Sequence, residues 1–468
     1  MVSRTLALAL FSASISHAAE TVLGVYMFHR HGDRTAKQTP PANLTDLGYT
    51  EVYHSGQYYR SRYVASDASL KISGLNSDIV LQSQIAVSAP SDTVLQNSAQ
   101  GFLQGLYPAV GAQLGNETLA NGSSVQAPLN GYQLIPIALT PSGGGSEDSS
   151  WLQSASGCYN SITSSNNYFT SADYQSLFKS TSGFYDSLTP VINRTFNASQ
   201  INYKNAYTIF DLINVAEIHN SSIHAFDNIL TNDTLFQIRT LADHHEFNLA
   251  YNVSEPARAI AGATVAAQAV QYLNNTITAN NNFSGPRLGI QFGAYNSFQS
   301  FFGLANLTAA SEDFYGVPDY ASVMIWELFT NTTLPSSGLP PQDDLYVRFL
   351  FNNGTSATTT VPQVYPLFGG NAVDLKWTDF VTGMNKFAVG TTQQWCQTCG
   401  NITGTCAQFA STPSSSSSSS HSSGNSNGIS TAVGGVIGAM VTLAVILGAE
   451  ALLLLLFGLR VRKKIELP

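Results

Sequence analysis

The sequence predicts an α/β sandwich with a mainly helical inserted subdomain and a C-terminal single transmembrane helix. Three observations carry this. Apolar runs of strand length alternate with amphipathic, capped segments of helix length, at 20–110 and again beyond 286. Between them, residues from about 120 to 275 change character, with helix-like periodicity and polar loops. Finally, 429–459 is almost wholly apolar and long enough to cross a bilayer.

In chain order, Arg4 precedes an apolar run that ends in small residues at Ala18 and Ala19, so 1–19 reads as a secretory signal peptide. Residues 20–411 form the main domain. It opens with a buried strand at 21–28. The segment 44–63 follows as a helix, capped by Thr45, with Leu47, Val52, Tyr58 and Tyr59 on its apolar face. A second strand is expected at 79–87 and a helix at 94–108, stopped near Gly105 and Pro108. The helical insertion spans about 120–275. Strand, turn and helix return at 286–307, and a further strand lies at 345–351. The run "TPSSSSSSSHSSGNSNG", 412–428, is too polar and repetitive to build a core and reads as a stalk. After the span, Arg460, Arg462, Lys463 and Lys464 make 460–468 a basic tail. That places the tail in the cytosol and the body in the lumen or outside the cell. A glycolipid-anchor signal would not end in such a cluster.

Only 10% of residues are charged, and the net charge of −9 comes with no basic stripe, which argues against nucleic acid as a partner. Asn-X-Ser/Thr sequons recur from Asn43 to Asn401, as in a glycosylated secretory protein. Cys158, Cys396, Cys399 and Cys406 are even in number and in an oxidising compartment, so disulfides are expected, with all three pairings open. No second pair or nearby histidine completes a zinc site around Cys396 and Cys399, and no metal is expected.

The chemistry concentrates in "VYMFHRHGDRTAKQTP", 25–40. Guanidinium groups bind phosphate oxygens in bidentate fashion. A histidine between them can attack phosphorus and form a covalent phosphohistidine. Arg30 and Arg34 would hold the phosphoryl oxygens, His31 would be the nucleophile, and Gly32 lets the backbone approach the anion. Asp33 is a further acidic group within the loop. His29, one residue earlier on the strand, is expected on the opposite face.

This stretch resembles the RHGxRxP signature of the histidine acid phosphatases, the acid phosphatase and phytase branch of the histidine phosphatase superfamily. Ala36 stands where that signature has proline. "LTDLGYTEVYHSGQYYRSRY" is similar to the family's first helix, through Leu44, Thr45, Gly48, Gly56, Arg60 and Tyr63. "SAQGFLQGLYP", "VPDYASVMIWEL", "YVRFLFNNGT" and "YPLFG" resemble later segments. The resemblance covers about 20–411. It implies a three-layer sandwich about a central mixed sheet, of the phosphoglycerate mutase-like kind. It also implies phosphomonoester hydrolysis through a phosphohistidine, with no cofactor.

Two family features are absent. A third phosphate-binding arginine is expected at Val94. The family's His-Asp pair, whose acid protonates the leaving group, maps onto Ala294 and Tyr295. His244, His245 and Glu246 in the insertion are the candidate substitutes. The expected function is therefore a membrane-anchored acid phosphatase acting on a small phosphorylated substrate. The alternative is an impaired relative that binds a phosphorylated or anionic ligand without efficient turnover. The sequence leaves substrate and oligomeric state open.

Overall fold

The computed structural model describes residues 20–140, 157–279, 285–336 and 338–409. The expected signal peptide, stalk, span and tail lie outside these. Among the described residues no helix is long and apolar enough to cross a membrane.

The fold is α/β, built on a mixed eight-stranded sheet. Its strands are β1 (Thr21–Arg30), β2 (Ile85–Pro90), β3 (Ala138–Thr140), β4 (Leu288–Gly293), β5 (Val323–Thr330), β6 (Leu345–Asn352), β7 (Gln363–Val364) and β8 (Asp374–Lys376). The order is β8-β6-β5-β1-β4-β2-β3, with β7 also pairing with β6. The pairs β1–β4, β4–β2 and β2–β3 are parallel, and β1–β5 and β5–β6 antiparallel. β1 is central because nine of its ten residues are buried, which requires cover on both faces.

Helices α1 (Asp46–Tyr59) and α2 (Thr93–Leu106) cover one face, around Val25, Met27, Val52, Phe102 and Ile290. On the other face α5 (Ile260–Thr278), α6 (Tyr295–Leu304) and α7 (Trp377–Met384) pack on Tyr26, Phe28 and Trp326. Residues 157–260 build their own core around Tyr185, Tyr203 and Ile209. It includes α3 (Ala206–His219) and α4 (Asn232–Ala250). β3 still belongs to the sheet and α5 packs on it, so the helical part is narrower than 120–275.

Two local expectations need correction. The second strand starts at Ile85, not 79, because its neighbour begins at Leu288, paired with Ile85. Before that point the Val80 amide is held by the Gln133 side chain instead of a strand. Thr45 does cap α1, accepting from the Gly48 amide at 3.1 Å, but Leu47 is 42% exposed. The buried stripe of α1 is instead Gly48, Val52, Ser55, Gly56 and Tyr59. Small residues are required there because α2 comes close: a Cβ on Gly56 would lie 2.1 Å from the Phe102 carbonyl oxygen.

All four cysteines are in disulfides, Cys158–Cys399 and Cys396–Cys406. Cys396 and Cys399 lie on α8 (Thr392–Cys399), so this helix is tied both to the start of the helical region and to residue 406. The first bond closes a loop of sequence separation 241. Replacing Cys158 and Cys399 together by serine should cost about 2–5 kcal/mol of stability. Thermal unfolding of the two proteins measures this.

Candidate active site

β1, β2 and β4 run parallel, and their C-terminal ends open on one side of the sheet, where crevices form in such folds. β1 ends there at Arg30. The backbone of the next residues is held from two directions. The Arg30 amide donates to Ser322 O and the Ala321 amide to His31 O, both at 2.8 Å. On the other side the loop lies directly on α1: a Cβ on Gly32 would sit 2.1 Å from the Gly48 carbonyl oxygen. The Gly32 amide donates to Ser98 Oγ of α2 at 3.2 Å.

In this frame His31, Asp33 and Arg34 are fully buried and Arg30 is 4% exposed. His31 Nδ1 donates to Gly32 O at 2.7 Å. That bond fixes the tautomer and makes Nε2 the basic nitrogen. His29 takes the opposite face, as alternation requires, between the rings of Phe102 and Phe292.

α3 grips the loop from the helical region. Asp211 Oδ1 lies 3.0 Å from Arg34 Nη1, with both side chains buried. Asp211 Oδ2 accepts the Lys37 amide at 2.8 Å. One turn earlier the Tyr207 hydroxyl accepts from Arg34 Nη2 at 3.4 Å. At the end of α3, His219 Nε2 donates to Asp33 Oδ2 at 2.6 Å. Asp33 also accepts from the Thr45 hydroxyl, and its amide donates to Glu51 Oε2 at 2.8 Å.

Aromatic rings cover the cations. The Arg30 guanidinium lies 4.6 Å from the Tyr320 ring centre and 5.4 Å from that of Tyr295. Tyr320 also stands 5.5 Å from the His31 ring and 5.8 Å from the Arg34 guanidinium. Lys37 Nζ lies 5.4 Å from the ring centres of both Tyr207 and Tyr295. Arg30, Arg34 and Lys37 thus share the rings of Tyr207, Tyr295 and Tyr320, and His31 stands against Tyr320 as well. Ala321, next to Tyr320, has φ 61°, a left-handed conformation that a non-glycine residue adopts at a cost of about 1–3 kcal/mol. Its buried methyl and its bond to His31 O hold it there.

The family model described as histidine phosphatase superfamily (branch 2) matches residues 39–352, about two thirds of the sequence. The chain belongs to that family. Its fold is shared with a phytase from Citrobacter braakii (TM-score 0.52, 15% identity, covering 81% of this chain and 99% of that one). It is likewise similar to a Klebsiella sp. ASR1 phytase (0.53, 10%, 79% and 96%) and a Hafnia alvei phytase in complex with tartrate (0.51, 11%, 80% and 98%). No curated protein matches the chain. The family match begins at residue 39, so the Arg30–Arg34 loop is placed by the geometry above.

The resemblance maps the family's third arginine and its His-Asp pair onto Val94, Ala294 and Tyr295. Val94 is fully buried in the first turn of α2. Ala294 is buried at the N-terminus of α6, with Tyr295 as its first residue. The Tyr295 hydroxyl donates to Glu246 Oε2 at 2.7 Å, and His245 Nδ1 donates to Glu246 Oε1 at 2.8 Å. Of the three candidate substitutes, Glu246 is therefore brought to Tyr295 and His245 acts on it from behind. His244 turns away, to the Tyr203 hydroxyl at 2.9 Å and towards Asp173.

Sequence reasoning missed Asp211, Tyr207, His219, Lys37 and the placement of Tyr320. One signal was available: Tyr207 and Asp211 are polar residues spaced i, i+4 within the apolar helix "AYTIFDLINVAEIH".

Two groups next to the loop, the fully buried His29 and the half-buried Glu51, give opposite pH effects. Desolvation lowers the pKa of His29 to about 4. The folded state prefers the neutral ring, so its contribution is complete above about pH 6.5 and is lost as pH falls towards 4. Glu51 is raised from 4.5 to about 7, first by burial and then also by the neighbouring Asp33 carboxylate. Its contribution is complete below about pH 4.5 and is lost as pH rises through 7. Glu51→Gln keeps an oxygen for the Asp33 amide and removes the titration. Thermal melts should show a smaller loss of stability between about pH 5 and 7 in the variant. Equal losses in both proteins would contradict this account.

Proposed function

We propose that this protein is a membrane-anchored phosphomonoester hydrolase acting through a phosphohistidine, with a weakened acid step. The observation that carries this reading is the His31 Nδ1 bond to Gly32 O, which directs a basic Nε2 away from the backbone beside Arg30 and Arg34. Nε2 attacks phosphorus, the bond to the leaving oxygen breaks, and water later hydrolyses the phosphorus–nitrogen bond to release phosphate and restore the imidazole. Arg30 and Arg34 neutralise charge on the non-bridging oxygens, and Lys37 lies close enough to add to them. The acid that the family's His-Asp pair supplies to the leaving group maps here onto Tyr295, which is no carboxylic acid. The leaving group therefore departs largely as an anion, and aryl phosphates are the favoured substrates. Membership of the family supports the reaction class. The tartrate complex of the Hafnia alvei relative is in keeping with a small anionic ligand.

A second reading is favoured by one observation. Arg34 is already paired with the buried Asp211, as in a protein that holds an anion weakly and turns nothing over.

The deciding experiment uses the full glycosylated chain beside its His31→Ala variant, with an aryl phosphate, between about pH 3 and 7. Turnover that disappears in the variant supports the hydrolase. Equal rates in the two proteins leave the binding reading. We place the domain on the lumenal or outer side of a secretory-pathway membrane, with a cytosolic tail. An N-glycosidase shift, together with protection of residues 20–411 from protease in sealed vesicles, tests that orientation.

A further inference from the structure

Asp211 lies within Arg34's reach at 3.0 Å and is 2% exposed, at the end of the network that includes Tyr207 and Lys37. Both Asp211 oxygens lie on Arg34 Nη1, at 3.0 and 3.3 Å, and so take up a guanidinium nitrogen that a phosphoryl oxygen would also use. The carboxylate is delivered by α3, from the helical region, and not by the loop itself. It is also held from a second side: the Lys37 amide donates to it, so the carboxylate does not depend on Arg34 for its position. The Tyr320 ring lies against His31, Arg30 and Arg34 together.

We propose that Asp211 is a built-in competitor of the anion: its carboxylate occupies the Arg34 side of the phosphate seat, and an incoming phosphoryl group must displace it or bind beside its charge. Asp211 thus sets the affinity and the charge class of the ligand. It disfavours multiply charged anions and tolerates singly charged ones, because a second full charge within a few ångströms of a buried carboxylate is strongly repelled. This rests on the reading above only in placing the anion between Arg30 and Arg34, and not on turnover.

The opposite role is also definite. If Asp211 merely positions Arg34 for the ligand, removing its charge weakens binding. Asp211→Asn separates the two, since the amide oxygen still accepts from the Lys37 amide while the charge is gone. Binding of inorganic phosphate and of vanadate to the full chain is measured by calorimetry, with Asp211→Ser as a second uncharged variant that keeps an oxygen. The variants are expected to melt lower than the wild type without ligand, because Arg34 loses its partner, and to gain more in melting temperature per unit of phosphate. The expected result is at least about tenfold tighter phosphate binding in each folded variant. Unchanged or weaker binding, with a cooperative melt, overturns the proposal and makes Asp211 a positioning residue. A wild type with no turnover, but a gain of binding in the variants, would sink the hydrolase reading and leave this one standing. Turnover in the wild type without that gain would do the reverse.

Discussion

Arg34→Ala should destabilise the protein by about 3–5 kcal/mol, more than the loss of a phosphate contact alone would suggest. The reason lies in Asp211. Both partners are buried, at 0% and 2% exposure, so truncating the arginine leaves a carboxylate away from water that still accepts from the Lys37 amide but has lost its cation. Desolvating a charge costs several kcal/mol, and the pair repays that cost only while both members are present. The control is the double variant Arg34→Met with Asp211→Leu, which removes both charges and fills a similar volume. It should recover most of the lost stability, because isosteric apolar replacement of buried pairs is often neutral or favourable. Thermal or urea unfolding of the three proteins decides the point. If Arg34→Ala melts within about 1 kcal/mol of the wild type, the Arg34–Asp211 contact is not a buried ion pair in solution.

Tyr295→Asp should raise the rate on alkyl phosphates relative to aryl phosphates by a factor of about 10² to 10⁴, the usual contribution of a positioned general acid. Tyr295 opens α6, at the position onto which the resemblance maps the family's acid, and its ring lies 5.4 Å from the Arg30 guanidinium. A phenol is a weak proton donor at acid pH, and this one is already committed to Glu246 at 2.7 Å. An aspartate there would face the Glu246 carboxylate, and two carboxylates sharing a site raise the proton affinity of one of them. The new acid would thus be kept protonated in the range where a leaving alkoxide needs it. The substitution also removes the ring that packs against Tyr207, tilted by 36° with centres 4.6 Å apart, so some stability is lost. The readout is therefore the ratio of alkyl to aryl turnover within one protein and not an absolute rate. A ratio identical to that of the wild type would mean that proton donation is not what limits this site.

These predictions depend on residues of different legibility. The Arg30, His31 and Arg34 cluster was readable because adjacent residues at the end of an apolar strand must share one loop, and their chemistry is intrinsic to their side chains. The same locality made Thr45 readable as the cap of α1, and the helix at 295–304 readable after its strand. The degenerate positions Ala294 and Tyr295 could be named from the resemblance, but not what Tyr295 touches. Its bond to Glu246, from a helix 49 residues earlier, depends on how α4 packs against α6.

The amino-acid sequence by itself thus determined the strand–loop–helix grammar, the family, the clustering of Arg30, His31 and Arg34 in one loop, and the presence of four cysteines suited to pairing. Tertiary structure alone decided which cysteines pair, that the second strand waits for its partner at Leu288, and that Asp211 and Tyr207 reach Arg34 across more than 170 residues. The physical reason is range. Caps, strand alternation and clustered side chains are set by energies that act within a turn or two of chain. A buried ion pair across the domain exists only after helix α3 has docked on the loop, and that docking is settled by the packing of whole apolar faces.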